Sequence, residues 1–102
     1  MDKTDALNIA QKYAKALRAK VDFQKMILFG SYVKGNPHKD SDIDIAVVFS
    51  DYHNRWDRQV ELMKLTRLID TRIEPHPFRE SDFDISNPFV YEIVSNGMII
   101  TS

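Results

Sequence analysis

The 102-residue chain contains no cysteine, which removes disulfides, thiolate metal sites and cysteine nucleophiles together. Neither sign of charge dominates: 14 Lys and Arg stand against 15 Asp and Glu, for a net charge of -1. The overall positive charge of a dedicated nucleic-acid binder is missing, so direct nucleic-acid binding is not expected. No stretch approaches the roughly 20 apolar residues of a membrane span. The N-terminal MDKTDALNIAQKYAKALRAK lacks the apolar core of a secretory leader, and the expectation is a cytoplasmic protein without a membrane partner. There is no internal repeat, linker or low-complexity tract.

What the chain does have is an ordinary globular composition, 43% hydrophobic and 28% charged, far from the signature of disorder. One domain over residues 1–102 is expected. A domain of this size buries roughly 60% or a little more of its unfolded surface, so a site should be an open cleft rather than a deep cavity. Ala6, Ile9, Ala10, Tyr13, Ala14 and Leu17 recur at helical spacing behind Asp2 or Thr4 as N-cap. Met26 to Phe29 reads as a short strand ending at Gly30, followed by a turn-rich connection at Gly35, Asn36 and Pro37. Asp42 to Val48 alternates acid and aliphatic and then turns wholly apolar, a strand exposed at its start and buried at its end.

Trp56, Val60, Met63, Leu65 and Leu68 predict a helix from about His53 to Ile69, with Trp56 and Met63 in the core. Thr71 to Phe78 reads as a strand. Pro75 and Pro77, two apart, withhold their missing N–H groups from the same side and place that strand at a sheet edge. Asn87-Pro88 is an N-cap with proline at N1, Gly97 stands at the C-cap position of a short last helix, and Met98 to Ile100 offers a small final strand.

The chemistry lies in FGSYVKGNPHKDSDIDIAVV, residues 29–48. Asp42 and Asp44 leave one face of a strand together while Ile43, Ile45 and Val47 leave the other. Two carboxylates so placed repel, and a hard divalent ion such as Mg²⁺ turns that repulsion into oxygen ligation. Gly30-Ser31 follows a strand, where a helical turn opens with free amides and a hydroxyl, an anion cradle in which a side chain would hold a phosphate off. Glu74, of opposite parity to Ile73 and Pro75, is a third acid. Metal ions about 4 Å apart, held by such acids and by a triphosphate, activate a hydroxyl and stabilise a pyrophosphate leaving group.

The order Gly30-Ser31, ten residues, Asp42-x-Asp44 resembles the signature of the DNA polymerase beta nucleotidyltransferase superfamily, and the short chain is similar to its minimal nucleotidyltransferase branch. The resemblance implies an α/β (α+β) fold, an αβαβ nucleotidyltransferase core with a small mixed sheet flanked by helices. It implies that Gly30, Ser31 and Lys34 hold the nucleotide phosphates. Asp42 and Asp44 would bind Mg²⁺, two ions in all, with Glu74 as third carboxylate and Asp70 as its competitor. Basic residues are common in the family at the positions of Tyr32 and Lys34; here only Lys34 fits, and Tyr32 would stack or hydrogen-bond instead.

The implied activity is transfer of AMP from ATP to a hydroxyl acceptor. Members of this branch often act as antitoxins of small helical HEPN proteins, and some modify a tyrosine of that partner. The alternative is a non-catalytic nucleotide-binding or partner-neutralising subunit, which would be favoured if neither Glu74 nor Asp70 reached Asp42 and Asp44. Other residues have plainer readings. His38, His53 and His76 show no ligand spacing and read as surface or loop histidines, Lys39 as a solvated loop lysine, and Ser41 as a cap or turn. Phe89, Tyr91 and Ile93 read as core packing, with a partner surface as the other possibility.

Overall fold

The computed structural model describes residues 2–35 and 41–101; Asn36, Pro37, His38 and Lys39, which the sequence reading assigned to a turn and loop, lie outside them. Helix α1 (Lys3–Arg18), strand β1 (Lys25–Phe29), the one-turn helix α2 (Ser31–Lys34) and strand β2 (Ile43–Phe49) come first. Helix α3 (Arg55–Ile69), strand β3 (Ile73–Arg79), a 3-10 turn over Glu80–Asp82, helix α4 (Pro88–Asn96) and strand β4 (Met98–Ile99) complete the order. The sheet runs β3-β2-β1-β4. β2 and β3 are parallel, and β1 is antiparallel to both β2 and β4. This is the mixed sheet flanked by helices that the family resemblance implies.

Local chemistry sets the helix ends. Asp2, not Thr4, caps α1: its carboxylate accepts from the Asp5 amide while the Asp5 side chain accepts from the Asp2 amide, a reciprocal capping box. Asn54 and Asn87 cap α3 and α4, the latter with Pro88 in the first turn. Gly97 does sit at the end of α4, but at φ -78 its backbone is extended rather than left-handed. Glycine is required there for space, since a Cβ would overlap Ile27 Cγ2 and the Ile93 carbonyl.

The β2 strand divides the core by parity. Ile43, Ile45 and Val47 join Met26, Leu28 and Ile73 beneath α1 and α3, while Ala46 and Val48 join Ile27, Phe29 and Phe78 against Val90 and Ile93 of α4. Arg72 O accepts from the Ile43 amide, so the alternate residues 73, 75 and 77 point their backbone groups away from β2. Pro75 and Pro77 therefore remove two donors from the free edge. Their carbonyls are satisfied by Gln59 Nε2 at 2.9 Å and Tyr52 Oη at 3.5 Å. The β3 edge thus offers a further strand almost nothing to pair with.

One helix is rotated from the sequence expectation. α3 buries Leu62, Leu65 and Thr66, leaving Trp56 73%, Met63 40% and Leu68 77% exposed. Trp56 and Met63 are thus not core. Both stripes have helical spacing, and the choice is made by tertiary contacts: the buried Tyr13 hydroxyl donates to Leu62 O at 2.9 Å, and the Arg58 guanidinium lies 4.6 Å over the Phe49 ring. Burial, reinforced by Glu61, keeps the Tyr13 phenol protonated well beyond its usual range. Tyr13→Phe is expected to cost about 1 kcal/mol, read as a midpoint lowered by roughly 4–8 °C in thermal melts. An unchanged midpoint would remove this bond from the account.

Candidate active site

Strand pairing assembles the site. Phe29 is opposite Asp44, and Asp44 is opposite Glu74, so the end of β1 and the starts of β2 and β3 form one row across three strands. Gly30 follows Phe29 at the same end. Partners in register share a sheet face, so Asp44 and Glu74 emerge side by side at the α4 face of the sheet. Asp42, exposed, lies just before β2 and its carboxyl meets that of Glu74.

Gly30 is fixed by two constraints at once. Its φ is +88, which side chains rarely adopt, and a Cβ there would overlap Asp44 Oδ2. It caps α2, where the amides of Val33 and Lys34 donate to its carbonyl at 3.2 and 3.1 Å. The amides of Ser31 and Tyr32 precede these bonded ones at the opening of the turn, beside the acids. A cavity of about 160 Å³ adjoins this point, lined by Phe29, Gly30, Val33, Lys34 and Phe89 among others. On the other flank a concavity of about 350 Å³ is lined by Asp42, Gln59, Met63, Arg72 and Glu74.

Two neighbours make contacts that the sequence does not show. Lys34 is tied to Glu92 of α4 at 2.8 Å, which holds the Glu92 carboxylate below its usual range. Tyr32 neither stacks on solvent nor faces the acids. It is buried, and its hydroxyl donates to Ser41 O at 3.4 Å, tying α2 to the residue two places before β2. Ser41 itself is buried there, a structural position as read.

Asp70, the competing third acid, is engaged elsewhere. It closes α3 and accepts from Arg72 Nε at 2.9 Å and Nη2 at 2.6 Å, which pulls its carboxyl below the usual range. Glu74 is the acid that converges on Asp42 and Asp44. The shared hydrogen bond with Asp42 and partial burial raise its pKa most; His76 opposes them, and the charges of Asp44 and Asp42 add a lesser upward push. A divalent cation beside these carboxylates would favour their charged forms and reverse that balance. The residues present therefore fit a metal.

His76 is the residue that sequence reasoning missed. It is not a surface or loop histidine: it lies half-buried on β3, two residues beyond Glu74 on the same face, with Nε2 3.2 Å from Asp44 Oδ1. One ligand atom each from Asp44, Glu74 and His76 lie within 4.8 Å of one another. The available signal was the spacing Glu74-x-His76, which repeats that of Asp42-x-Asp44. His53 is exposed, beside a concavity of about 590 Å³ with Asp51, Tyr52 and Arg79. That hollow is at the other end of β2 and β3, roughly 20 Å along the strands, and its Arg79 is bound to Asp51 and Tyr52 O.

The Glu74 shift has a direct consequence for the metal-free protein. Because the folded-state pKa lies above the unfolded 4.5, the folded form binds the extra proton, and this contribution to stability is lost as pH rises from 4.5 through the folded value. Glu74→Gln is expected to flatten that part of the stability profile in urea titrations across the window. An identical slope in both proteins would contradict the placement of Glu74 among the acids.

A small mixed sheet whose aligned strand ends carry three carboxylates beside a glycine-opened turn defines a metal-dependent nucleotidyl-transfer domain. The family model described as "Polymerase beta, Nucleotidyltransferase" matches residues 6–102, and the chain belongs to that family. A Methanocaldococcus jannaschii protein proposed by its name to be a protein adenylyltransferase is 29% identical over 91 residues, 89% of each chain. The protein adenylyltransferase MntA of Shewanella oneidensis is 38% identical over 87 residues, 84% of this chain and 60% of that protein. Crystal structures of the MntA–HpeT toxin–antitoxin and of a toxin–antitoxin with AMP-PNP superpose with TM-scores of 0.68 and 0.60 at 29% and 25% identity. They cover 91% and 90% of this chain, and it covers 72% and 73% of theirs. No helix among the described residues is long and apolar enough to cross a membrane.

Proposed function

We propose that the chain, read as one cytoplasmic nucleotidyltransferase domain over residues 1–102, transfers AMP from ATP to a hydroxyl of a HEPN-type toxin partner, a tyrosine in the first instance, and so acts as its antitoxin. The observation that carries this is the row Asp44–Glu74 beside Gly30 and Asp42. The adenylyltransferase names of the relatives and the toxin–antitoxin neighbours support the acceptor class. The non-catalytic alternative would be favoured by the lack of a third acid, and the nearness of Glu74 to Asp42 and Asp44 supports the catalytic reading instead.

In this reading Asp42, Asp44 and Glu74 would hold two Mg²⁺ ions, whose charge offsets that of the phosphates and of the departing pyrophosphate. Gly30 and Ser31 bring backbone amides to the phosphates. The acceptor oxygen bonds to the α-phosphorus, the bond from that phosphorus to the bridging oxygen breaks, and pyrophosphate leaves. Glu74, on the flank open to the Gln59 and Met63 concavity, takes the acceptor's proton.

Lys34 contributes by exchanging Glu92 for phosphate. An exposed ion pair of this kind is weak and screened by solvent, so a triphosphate competes for it readily. Lys34→Ala is expected to raise KM for ATP about five- to tenfold with little change in kcat. A change confined to kcat in steady-state assays would contradict this assignment. The function as a whole is tested by label transfer from α-labelled ATP with Mg²⁺ in lysate of the source cell, using an Asp42→Asn, Asp44→Asn double variant as control. Label on a small helical protein, absent with the variant, is expected; nucleotide binding without labelled product would favour the non-catalytic subunit.

A further inference from the structure

Two chemically different sides meet at Glu74. Toward Asp42 the group that Glu74 meets is a second carboxyl, in a concavity that Gln59 and Arg72 also line. Toward Asp44 an imidazole nitrogen joins the carboxyls, and the ligand atoms of Asp44, Glu74 and His76 lie within 4.8 Å of one another. The His76 ring is held in place by packing against Phe29, with centroids 5.2 Å apart, and against Phe89 at 6.0 Å. Its Nε2 is aimed at Asp44 Oδ1, 3.2 Å away. Glu74, exposed and on a longer stem, is the arm free to close the remaining distance around one ion.

Ligand type separates the divalent cations. Mg²⁺ takes oxygen ligands and keeps its waters; imidazole suits Zn²⁺ and the later first-row ions best, and Mn²⁺, itself chiefly an oxygen-ligand ion, ranks below them but still accepts a nitrogen donor more readily than Mg²⁺. A nitrogen donor on a ring that packing prevents from swinging away is a standing bias away from Mg²⁺. Resting on the nucleotidyl-transfer reading above, we propose that His76 Nε2 is a direct ligand, with Asp44 and Glu74, of a divalent transition-metal ion, so that one of the two cation positions prefers Mn²⁺-class metals to Mg²⁺. Asp42 and Glu74 offer the other position carboxylate oxygens.

The test is pulsed electron paramagnetic resonance of Mn²⁺ bound to the full chain, with binding constants for Mn²⁺ and Mg²⁺ from calorimetry. The expected result is a directly coordinated nitrogen coupling that changes on ¹⁵N-histidine labelling, needs no variant to detect, and persists in His53→Ala. His76→Ala is expected to abolish the coupling and weaken Mn²⁺ at least about tenfold while moving Mg²⁺ less than about threefold. Bound Mn²⁺ without nitrogen coupling would overturn the proposal, reducing His76 to a group that orients Asp44. If AMP transfer persists in that case, the enzymatic reading stands and the ligation alone falls; if metal binding and transfer are both absent, both fall.

Discussion

Asp44→Asn is expected to abolish AMP transfer, lowering kcat/KM by at least about a thousandfold, while the chain stays folded. Asp44 occupies the centre of the row: opposite Phe29 on one side and Glu74 on the other, against Gly30, and 3.2 Å from His76. No other described carboxylate stands at this register position. An amide keeps the shape but removes the charge on which metal ligation depends, and that charge is worth several kcal/mol at the transition state. Asp42→Asn should lose transfer similarly, yet raise the metal-free melting temperature, because an amide facing Glu74 replaces a like charge with a donor. Circular dichroism and melts beside the transfer assay check both; transfer retained at ordinary Mg²⁺ in either variant would remove that residue from the mechanism.

Gly30→Ala should be nearly as damaging to activity and should also cost stability. The backbone at φ +88 and ψ -155 belongs to a region essentially restricted to glycine, where another residue carries about 1–3 kcal/mol of strain. The added methyl would also displace the Asp44 carboxylate. The expected outcome is a melting temperature lower by roughly 5–20 °C and transfer reduced at least about a hundredfold. Gly35 provides the control. It has a similar φ of +83, but nothing lies within 4 Å of a Cβ built on it, so Gly35→Ala should lose stability while keeping transfer. Equal activity loss in both variants would show that backbone strain, not contact with Asp44, is what matters at Gly30.

The parts of this architecture that were legible in the sequence are those governed by local rules. Period-two alternation put Asp42 and Asp44 on one face and Ile43, Ile45 and Val47 on the other, and the structure buries all three aliphatics completely. Pro75 and Pro77 identified an edge strand, and Asn87-Pro88 a helix start. What was not legible depends on which element faces which. α3 carries apolar residues on two stripes, so its spacing fits both the burial of Leu62 and Leu65 and that of Trp56 and Met63, and contacts distant in sequence, such as Tyr13, 49 residues before Leu62, select between them.

The site shows the same division. The third acid was ambiguous between Glu74 and Asp70 because both share parity; strand register brings Glu74 to Asp44, while Arg72 takes Asp70. The pairing of Lys34 with Glu92, 58 positions later, is invisible to local spacing. His76 is not legible as a ligand from histidine spacing, because its partners are acids, Glu74 on its own strand and Asp44 on the adjacent one.

The central claim is that these residues move a nucleoside monophosphate. It is tested most directly with the purified chain and its acceptor, incubated in parallel with ATP labelled at the α- or the γ-phosphate. The account predicts α-label on the acceptor and γ-label released as pyrophosphate, both lost in Asp44→Asn. γ-Label on the acceptor, or release of inorganic phosphate without α-label transfer, would contradict it.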